Sequence, residues 1–270
     1  MPRQATGLVS ARADHDSAKP RSYLPPMLPL RDNNPTLRTP VVTYALIAAN
    51  VAVWVLVQGM GAEPLLTRSV CTLGLIPGEL TRALVPGTRL PLGPGEACVI
   101  GGANWLTPLS SMFMHGGWFH LLGNMWFLHV FGNNVEDVMG RGRFLLFYLL
   151  GGLAAAAAQV LASPASPIPM VGASGAIGGV MGAYVLLYPR ARIDTLVFLG
   201  IWITRLAIPA MFMLGYWFFI QLASGALTPG EGGGVAFWAH VGGFLAGILM
   251  VPLFRDPALI AEHRLRSGIA

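Results

Sequence analysis

The sequence predicts an all-α integral membrane protein that crosses the bilayer with six transmembrane helices. Of its 270 residues, 54% are hydrophobic and only 11% are charged, which is far from the balance of a soluble domain. The apolar residues fall in long blocks suited to spanning a bilayer, and the charges lie between them. No arginine-rich run interleaves with aromatic residues, so the net charge of +5 does not indicate a nucleic-acid partner.

The elements follow one another clearly along the chain. Residues 1–40 are polar, rich in proline and without an apolar h-region, so we expect a largely disordered cytoplasmic tail and no cleavable signal peptide. Six apolar blocks then predict spans over residues 41–58, 117–135, 144–162, 174–189, 207–223 and 236–254. Residues 255–270 are predicted to form a short cytoplasmic tail.

Two connecting segments have distinct compositions. A long first outer loop, rich in Gly and Pro, carries the only two cysteines, Cys71 and Cys98. An oxidising outer compartment favours a disulfide, whereas the apolar surroundings also suit two buried thiols, and the sequence leaves this open. Residues 195–206 are apolar but end in Arg205 just ahead of Pro209, which predicts an interfacial segment before the fifth span.

The distribution of basic residues predicts the orientation. If the N-terminus is inside, fourteen of the 17 Lys and Arg residues lie on the cytoplasmic side. Because inner loops carry the excess of Lys and Arg, both termini are expected to be cytoplasmic, in a bacterial inner membrane. The fourth span then runs from outside to inside, and Ser174 lies at its outer end.

The fourth span is unusually short. From Ser174 to Tyr188 there are 15 residues, about 22 Å of helix, against a hydrocarbon core of about 30 Å. Ser174 is therefore expected to lie below the outer surface, within the membrane but reachable from outside. The surrounding string "GASGAIGG" also permits a purely structural role, since small residues line ordinary membrane-helix contacts.

Histidines in or near the spans are the second functional signal. His240 lies in the sixth span, and His115, His120 and His129 lie in or near the second. Ionisable groups inside a bilayer are costly, which favours a functional role, although any one of them can be a satisfied interhelical hydrogen bond, as suits His129. Their spacing does not provide the i, i+3 or i+4 pair of a metal site, so no metal and no cofactor are expected. His120 and Asn124, at i and i+4, share one helix face and together offer the two donors of an oxyanion hole.

Small residues predict how the fourth and sixth spans meet. They recur every four residues on both spans, at Ser174, Gly178 and Gly182 and at Ala239, Gly243 and Gly247. This spacing lets two backbones approach closely. Such packing would bring His240 beside Ser174, which is the arrangement of a nucleophile and its general base.

The strings "GASG", "HGGWFHLLGN" and "AHVGGFLAG", in this order over six spans, resemble the rhomboid family of intramembrane serine proteases. The resemblance covers about residues 24–254 and includes the lead-in "PLRDNNPT". It implies a six-span rhomboid-like bundle with residues 41–254 as the protease domain. It also implies transmembrane protein substrates, cleaved near the outer face, and membrane lipid as surroundings.

Carried over by position, the resemblance assigns roles to five residues. Ser174 matches the nucleophile and His240 the base of a Ser-His dyad. His120 and Asn124, with the Ser174 backbone N–H, match the oxyanion donors, and His115 matches a further active-site histidine. No acidic third member of the dyad is expected in the spans.

The sequence departs from the family pattern at two points. Family members often carry an aromatic residue four positions after the nucleophile, where this chain has Gly178. The orientation of His240 is then expected to come from Trp238 or Phe237. A Trp-Arg pair of the first loop is reduced to Trp105-Leu106.

The predicted function is that of a serine endopeptidase acting within the membrane. The alternative is a non-catalytic rhomboid-like protein that binds membrane helices, although it should lack the nucleophile or the base. A transporter or channel would require paired acidic residues and repeat symmetry, which the spans lack. Residues 224–235 are predicted to act as a lid and the fifth span as a lateral gate, with a plain connecting loop as the alternative. The natural substrate and the oligomeric state stay open.

Overall fold

The computed structural model describes residues 27–93, 96–227 and 234–267. The helices in these ranges are α1 (Val41–Leu56), α2 (Leu65–Leu73), α3 (Pro77–Leu80), α4 (Thr107–Ser110), α5 (Trp118–Met139), α6 (Arg141–Ala162), α7 (Ser174–Leu187), α8 (Ala210–Leu227), α9 (Phe237–Phe254) and α10 (Pro257–Ser267). The strands are β1 (Met27–Asp32), β2 (Arg89–Gly93), β3 (Glu96–Val99), β4 (Arg192–Leu199) and β5 (Trp202–Pro209).

Helices α1 and α5–α9 overlap the six predicted spans, with ends that differ from the prediction by up to four residues. Three of them, α6, α8 and α9, are long and apolar enough to cross a membrane, whereas α1 and α7 are shorter apolar helices of 16 and 14 residues. Helix α5 has 22 residues but carries Glu136 and Asp137 in its last turn. The structure therefore contains three clear apolar spans, and the full count of six stays a prediction.

The tightest packing in the bundle joins α7 and α9, as the small-residue spacing predicts. A β-carbon added at Gly247 would lie 2.0 Å from the Gly179 carbonyl oxygen, and one at Gly243 would lie 2.1 Å from that of Gly175. A β-carbon added at Gly182 would lie 2.1 Å from a carbonyl oxygen of α9. The predicted close approach of α7 and α9 is confirmed. It also involves Gly175 and Gly179 of α7, which were not among the small residues that predicted it.

Two carboxylates in the last turn of α5 bind the start of α1 and the residues before it. Glu136 is buried and accepts hydrogen bonds from the backbone N–H groups of Val42 and Thr43 and from the Thr43 hydroxyl. These N–H groups belong to the first turn of α1 and have no acceptor within the helix. Asp137 likewise accepts from the backbone N–H groups of Leu37 and Arg38. Both carboxylates are thus engaged in anchoring the entry to α1.

The prediction of an all-α chain is wrong for the segment before α8. Residues 195–206 lie in an antiparallel hairpin of β4 and β5, which turns at Gly200 with a φ of +66°. β1 adds to the other edge of β4, giving the strand order β1-β4-β5. Strands form here because the segment is rich in β-branched and aromatic residues and a turn glycine divides it.

Asp194 ties this sheet together across its central strand. Its carboxylate accepts hydrogen bonds from Arg31 on β1, at 2.9 Å, and from Arg205 on β5. These two guanidinium groups hold the pKa of Asp194 below its ordinary value. The three strands are therefore joined by an ion-paired cluster as well as by their backbone ladder.

The two predicted tails also contain regular structure. β1 and the ordered lead-in to α1 replace the predicted disordered tail over residues 27–40, while residues 1–26 lie outside the described residues. The predicted C-terminal tail contains α10, which packs back on the bundle through the buried His263. Its Nε2 lies 3.0 Å from the Pro35 carbonyl oxygen. Each segment is ordered by contacts with a distant part of the same chain, β1 with β4 and α10 with the residues around Pro35, and composition alone does not reveal such contacts.

The long loop between α1 and α5 is folded. It contains α2, α3, α4 and the hairpin of β2 and β3. The structure joins Cys71 of α2 to Cys98 of β3 in a disulfide with a Cα–Cα distance of 5.2 Å. The pairing that the sequence leaves open is therefore present, and it attaches the hairpin to α2.

Candidate active site

Ser174 and His240 lie in hydrogen-bond contact where α7 and α9 begin. The Ser174 Oγ is 2.8 Å from the His240 Nε2. Ser174 is the first residue of α7, and His240 lies in the first turn of α9. A β-carbon at Gly178, one turn further along α7, would lie 3.1 Å from the His240 carbonyl oxygen. The close glycine packing of the two helices thus brings the two side chains together.

The loop that enters α7 lies against the polar face of α5. Gly172 has a φ of +125°, in the region that favours glycine, and its N–H donates to the Ser111 carbonyl oxygen at 2.9 Å. A β-carbon at Gly172 would lie 2.7 Å from the His120 Nε2 and 3.4 Å from the Asn124 Nδ2. The backbone two residues before Ser174 therefore faces both α5 side chains directly.

His120 and Asn124 each present a donor to this region. The His120 Nδ1 accepts a hydrogen bond from the Gly116 N–H at 3.3 Å, which leaves the proton on the Nε2 that faces Gly172. The Asn124 Nδ2 is buried and makes no hydrogen bond to the described residues. A buried donor without a partner is costly, and functional sites are where such groups occur.

His115 is fully buried behind His120. The two rings meet edge to face, with centroids 5.2 Å apart. The Gln58 side chain fixes the backbone at His115, because its Oε1 accepts from the His115 N–H and its Nε2 donates to the His115 carbonyl oxygen, both at 2.8 Å. Sequence reasoning missed Gln58, for which the available signal is an amide side chain at the end of the predicted first span.

A cavity of about 350 Å³ lies at the candidate site, and His120, Ser174 and His240 are among the residues that line it. A second cavity of about 370 Å³, lined by Gln159, shares Val235 and part of its wall with the first. Within residues 27–93, 96–227 and 234–267, no cluster of three or more His, Cys, Asp or Glu side chains is placed to hold a metal ion. Residues 228–233 of the predicted lid lie outside the described residues.

The neighbours of the His240 ring come from α8. The Gln221 Oε1 is 2.7 Å from the His240 Nδ1, and the Trp217 ring centroid is 5.7 Å from that of His240. Phe237 and Trp238, the residues expected to orient this ring, lie 3.3 and 3.2 Å from the β-carbon position of Gly225 on α8 instead.

Comparison with known proteins gives a family. A Rhomboid domain model matches residues 102–257, more than half of the chain. Over 105 residues the chain is 39% identical to the rhomboid protease GluP of Bacillus subtilis, covering 38% of this chain and 20% of that protein. It is 32% identical over 148 residues to mitochondrial rhomboid protein 1 of Saccharomyces cerevisiae, covering 52% of this chain and 39% of that protein.

A further match is to the putative rhomboid protease YdcA of Bacillus subtilis, 32% identical over 108 residues, with 40% of this chain and 50% of that protein covered. The chain therefore spans half or less of the length of these relatives. The domain match and the apolar helices make the chain an integral membrane protein of the rhomboid family.

Proposed function

We propose that this protein is an intramembrane serine endopeptidase that cleaves transmembrane segments of membrane proteins with a Ser174–His240 dyad. The observation that carries the proposal is the 2.8 Å contact between the Ser174 Oγ and the His240 Nε2. A hydroxyl within hydrogen-bond reach of an imidazole is the signature of an activated nucleophile. Names of relatives such as GluP, a rhomboid protease, support the same class of activity.

The reaction proceeds through an acyl-enzyme. The neutral His240 Nε2 takes the Ser174 hydroxyl proton as Oγ bonds to the scissile carbonyl carbon, which gives a tetrahedral oxyanion. The imidazolium then donates that proton to the leaving amine as the C–N bond breaks. Water, deprotonated by His240 in its turn, attacks the ester, and Ser174 recovers its proton.

The oxyanion is stabilised by donors fixed before the reaction. We assign this role to the His120 Nε2–H, the Asn124 Nδ2–H and the Ser174 backbone N–H, with His115 behind them as a further active-site histidine. The first N–H groups of α7 have no acceptor within the helix and carry its positive dipole end. Support comes from Gly172, whose α-carbon faces His120 and Asn124 two residues before the nucleophile.

The substrate class follows from the surroundings of the site. A regular transmembrane helix hides its carbonyl groups in internal hydrogen bonds, so the scissile segment must unwind before Ser174 reaches it. Gly, Ala or Pro in the substrate makes that easier. The excess of basic residues in the predicted inner loops favours an orientation with both termini cytoplasmic, in a bacterial inner membrane. In that orientation Ser174 is at the outer end of the fourth span, so cleavage is expected near the outer face. Residues 41–254 then form the protease domain.

The decisive experiment follows cleavage of a fluorogenic transmembrane substrate by the purified protein in detergent or liposomes. Ser174→Ala and His240→Ala are each expected to abolish cleavage while the melting temperature changes little. A helix-binding protein without activity would give no cleavage in the unmodified protein, and that result would overturn the proposal. Equal cleavage by the Ser174→Ala variant would assign any activity to another residue.

The oxyanion assignment has its own test. His120→Ala and Asn124→Ala are each expected to lower kcat by roughly 100- to 1000-fold, because one oxyanion donor is typically worth about 3–4 kcal/mol. The change in KM is expected to be smaller. An effect confined to KM would assign these side chains to substrate positioning instead.

A further inference from the structure

The base of the proposed dyad is held from its far side by an amide. The Gln221 Oε1 lies 2.7 Å from the His240 Nδ1, and the Ser174 Oγ lies 2.8 Å from the Nε2 of the same ring. An amide oxygen can only accept a hydrogen bond, so the proton of neutral His240 is on Nδ1. The lone pair of Nε2 then faces the Ser174 hydroxyl, which is the tautomer that a general base requires.

The carboxylates of the helical bundle are occupied elsewhere. The sequences of α1 and α5–α9 contain no Asp or Glu except Glu136 and Asp137. Both of these bind backbone N–H groups in and before the first turn of α1. The role that a carboxylate has in a catalytic triad therefore has no acidic candidate in these helices.

The wall of α7 cannot supply the missing support. A β-carbon at Gly178 would already lie 3.1 Å from the His240 carbonyl oxygen, so α7 and α9 are too close there for a large side chain. On the opposite side, Trp217 lies one turn before Gln221 on α8, and its ring is 5.7 Å from the His240 ring, tilted by 41°. Gln221 and Trp217 share one face of α8 at i and i+4, and that face meets His240.

From this geometry we propose that Gln221 is the positioning residue of His240: its side-chain oxygen holds Nδ1–H and so fixes the base in its working tautomer and orientation. The proposal rests on the proposed function and adds a third member to the Ser174–His240 pair. It also makes the base dependent on α8, because His240 keeps this hydrogen bond only while α8 is packed against α9.

The test replaces the amide with side chains that keep or remove the acceptor. Gln221→Leu removes it and is expected to lower kcat by about 10- to 100-fold with KM little changed, as for the loss of one hydrogen bond to an imidazolium. Gln221→Glu is expected to keep activity near that of the unmodified protein, because a carboxyl group offers an accepting oxygen in either protonation state. Gln221→Asn is one methylene shorter and is expected to behave like the Leu variant.

Leu222→Met, at the neighbouring exposed position of α8, is the matched control and is expected to leave kcat unchanged. Unchanged kcat in Gln221→Leu, or an equal loss in the Leu and Glu variants at equal melting temperature, would overturn the proposal. A spectroscopic measurement tests the positioning role of Gln221 independently of activity. The proposed protease function is tested separately, by comparing the unmodified protein with Ser174→Ala.

The spectroscopic measurement is the ¹⁵N NMR spectrum of the His240 imidazole, assigned by its loss in His240→Ala. The unmodified protein and Gln221→Glu are expected to show the Nδ1-protonated form, and Gln221→Leu a mixture of the two tautomers. This result supports the positioning role even if no cleavage is found. Identical spectra for all variants would overturn it.

Discussion

Gly172→Ala is expected to disable the site without touching any residue of the dyad. The new β-carbon would lie 2.7 Å from the His120 Nε2 and 2.8 Å from its Cε1, closer than real β-carbons approach such atoms. The ring of His120 must move away, and with it the Nε2–H donor assigned to the oxyanion. Asn124 is affected less, since its Nδ2 would lie 3.4 Å away.

The size of the effect follows from two costs. Loss of one oxyanion donor typically lowers kcat by about 100- to 1000-fold. The φ of +125° at Gly172 adds backbone strain for alanine of about 1–3 kcal/mol, which falls on stability. We therefore expect kcat to fall by about 100-fold or more and the melting temperature by a few degrees.

The assay is a double-mutant cycle on a fluorogenic transmembrane substrate, with His120→Ala, Gly172→Ala and the double variant. If Gly172→Ala acts by displacing the ring of His120, the double variant should be little slower than His120→Ala alone. Gly123→Ala on α5, where a new β-carbon meets nothing within 4 Å, is the matched control. Fully additive losses, or wild-type kcat in a folded Gly172→Ala protein, would refute the reasoning.

Three predictions concern the fold. Gly247→Ala puts a β-carbon 2.0 Å from a carbonyl oxygen of α7. It should lower the free energy of unfolding by more than the typical overpacking cost of about 1–3 kcal/mol, measured as a lower melting temperature. A melting temperature equal to that of Gly123→Ala would contradict this. Reduction of the Cys71–Cys98 disulfide should lower stability by about 3–4 kcal/mol, from the chain-entropy model for a loop of this length, and melting with and without reductant measures it. Burial raises the pKa of Asp32 from 3.8 to about 6. Between about pH 4 and pH 6 the folded chain therefore keeps a proton on Asp32 that the unfolded chain has released. The free energy of unfolding is expected to fall as pH rises through this window. Asp32→Asn should remove that slope and raise the melting temperature at pH 7, and an unchanged pH profile of melting would contradict it.

The helices were predictable because their signals are local. Each apolar block is continuous along the chain, and the small residues of the fourth and sixth spans recur at the spacing that close helix contact needs. The hairpin of β4 and β5 was not identified as strands, because an apolar run of this length fits an interfacial segment equally well. β1 and α10 were assigned to tails because what orders them is a partner distant in sequence, as with His263 and Pro35.

The candidate site divides in the same way. Ser174, His240, His120 and Asn124 stand out because polar side chains are costly in apolar spans, and their spacing places them on defined faces. Gln221 did not stand out, although it is the single amide of a helix without charged residues. Its meaning depends on which face of α8 meets α9, and the nearly uniform apolarity of α8 does not encode that.

The choice of an amide beside His240 has a physical reason. A carboxylate at that depth would have to be desolvated in a low-dielectric environment, and an ionised group there is far more costly than a neutral one. An amide oxygen accepts the same hydrogen bond from Nδ1–H without carrying a charge into the membrane. Glu136 and Asp137 lie instead at the end of α5, where their carboxylates accept hydrogen bonds from backbone N–H groups at and before the start of α1. In the proposed mechanism, an uncharged Gln221 stabilises the imidazolium less than a carboxylate would, so we expect more of the rate enhancement to depend on the proposed oxyanion donors near Gly172.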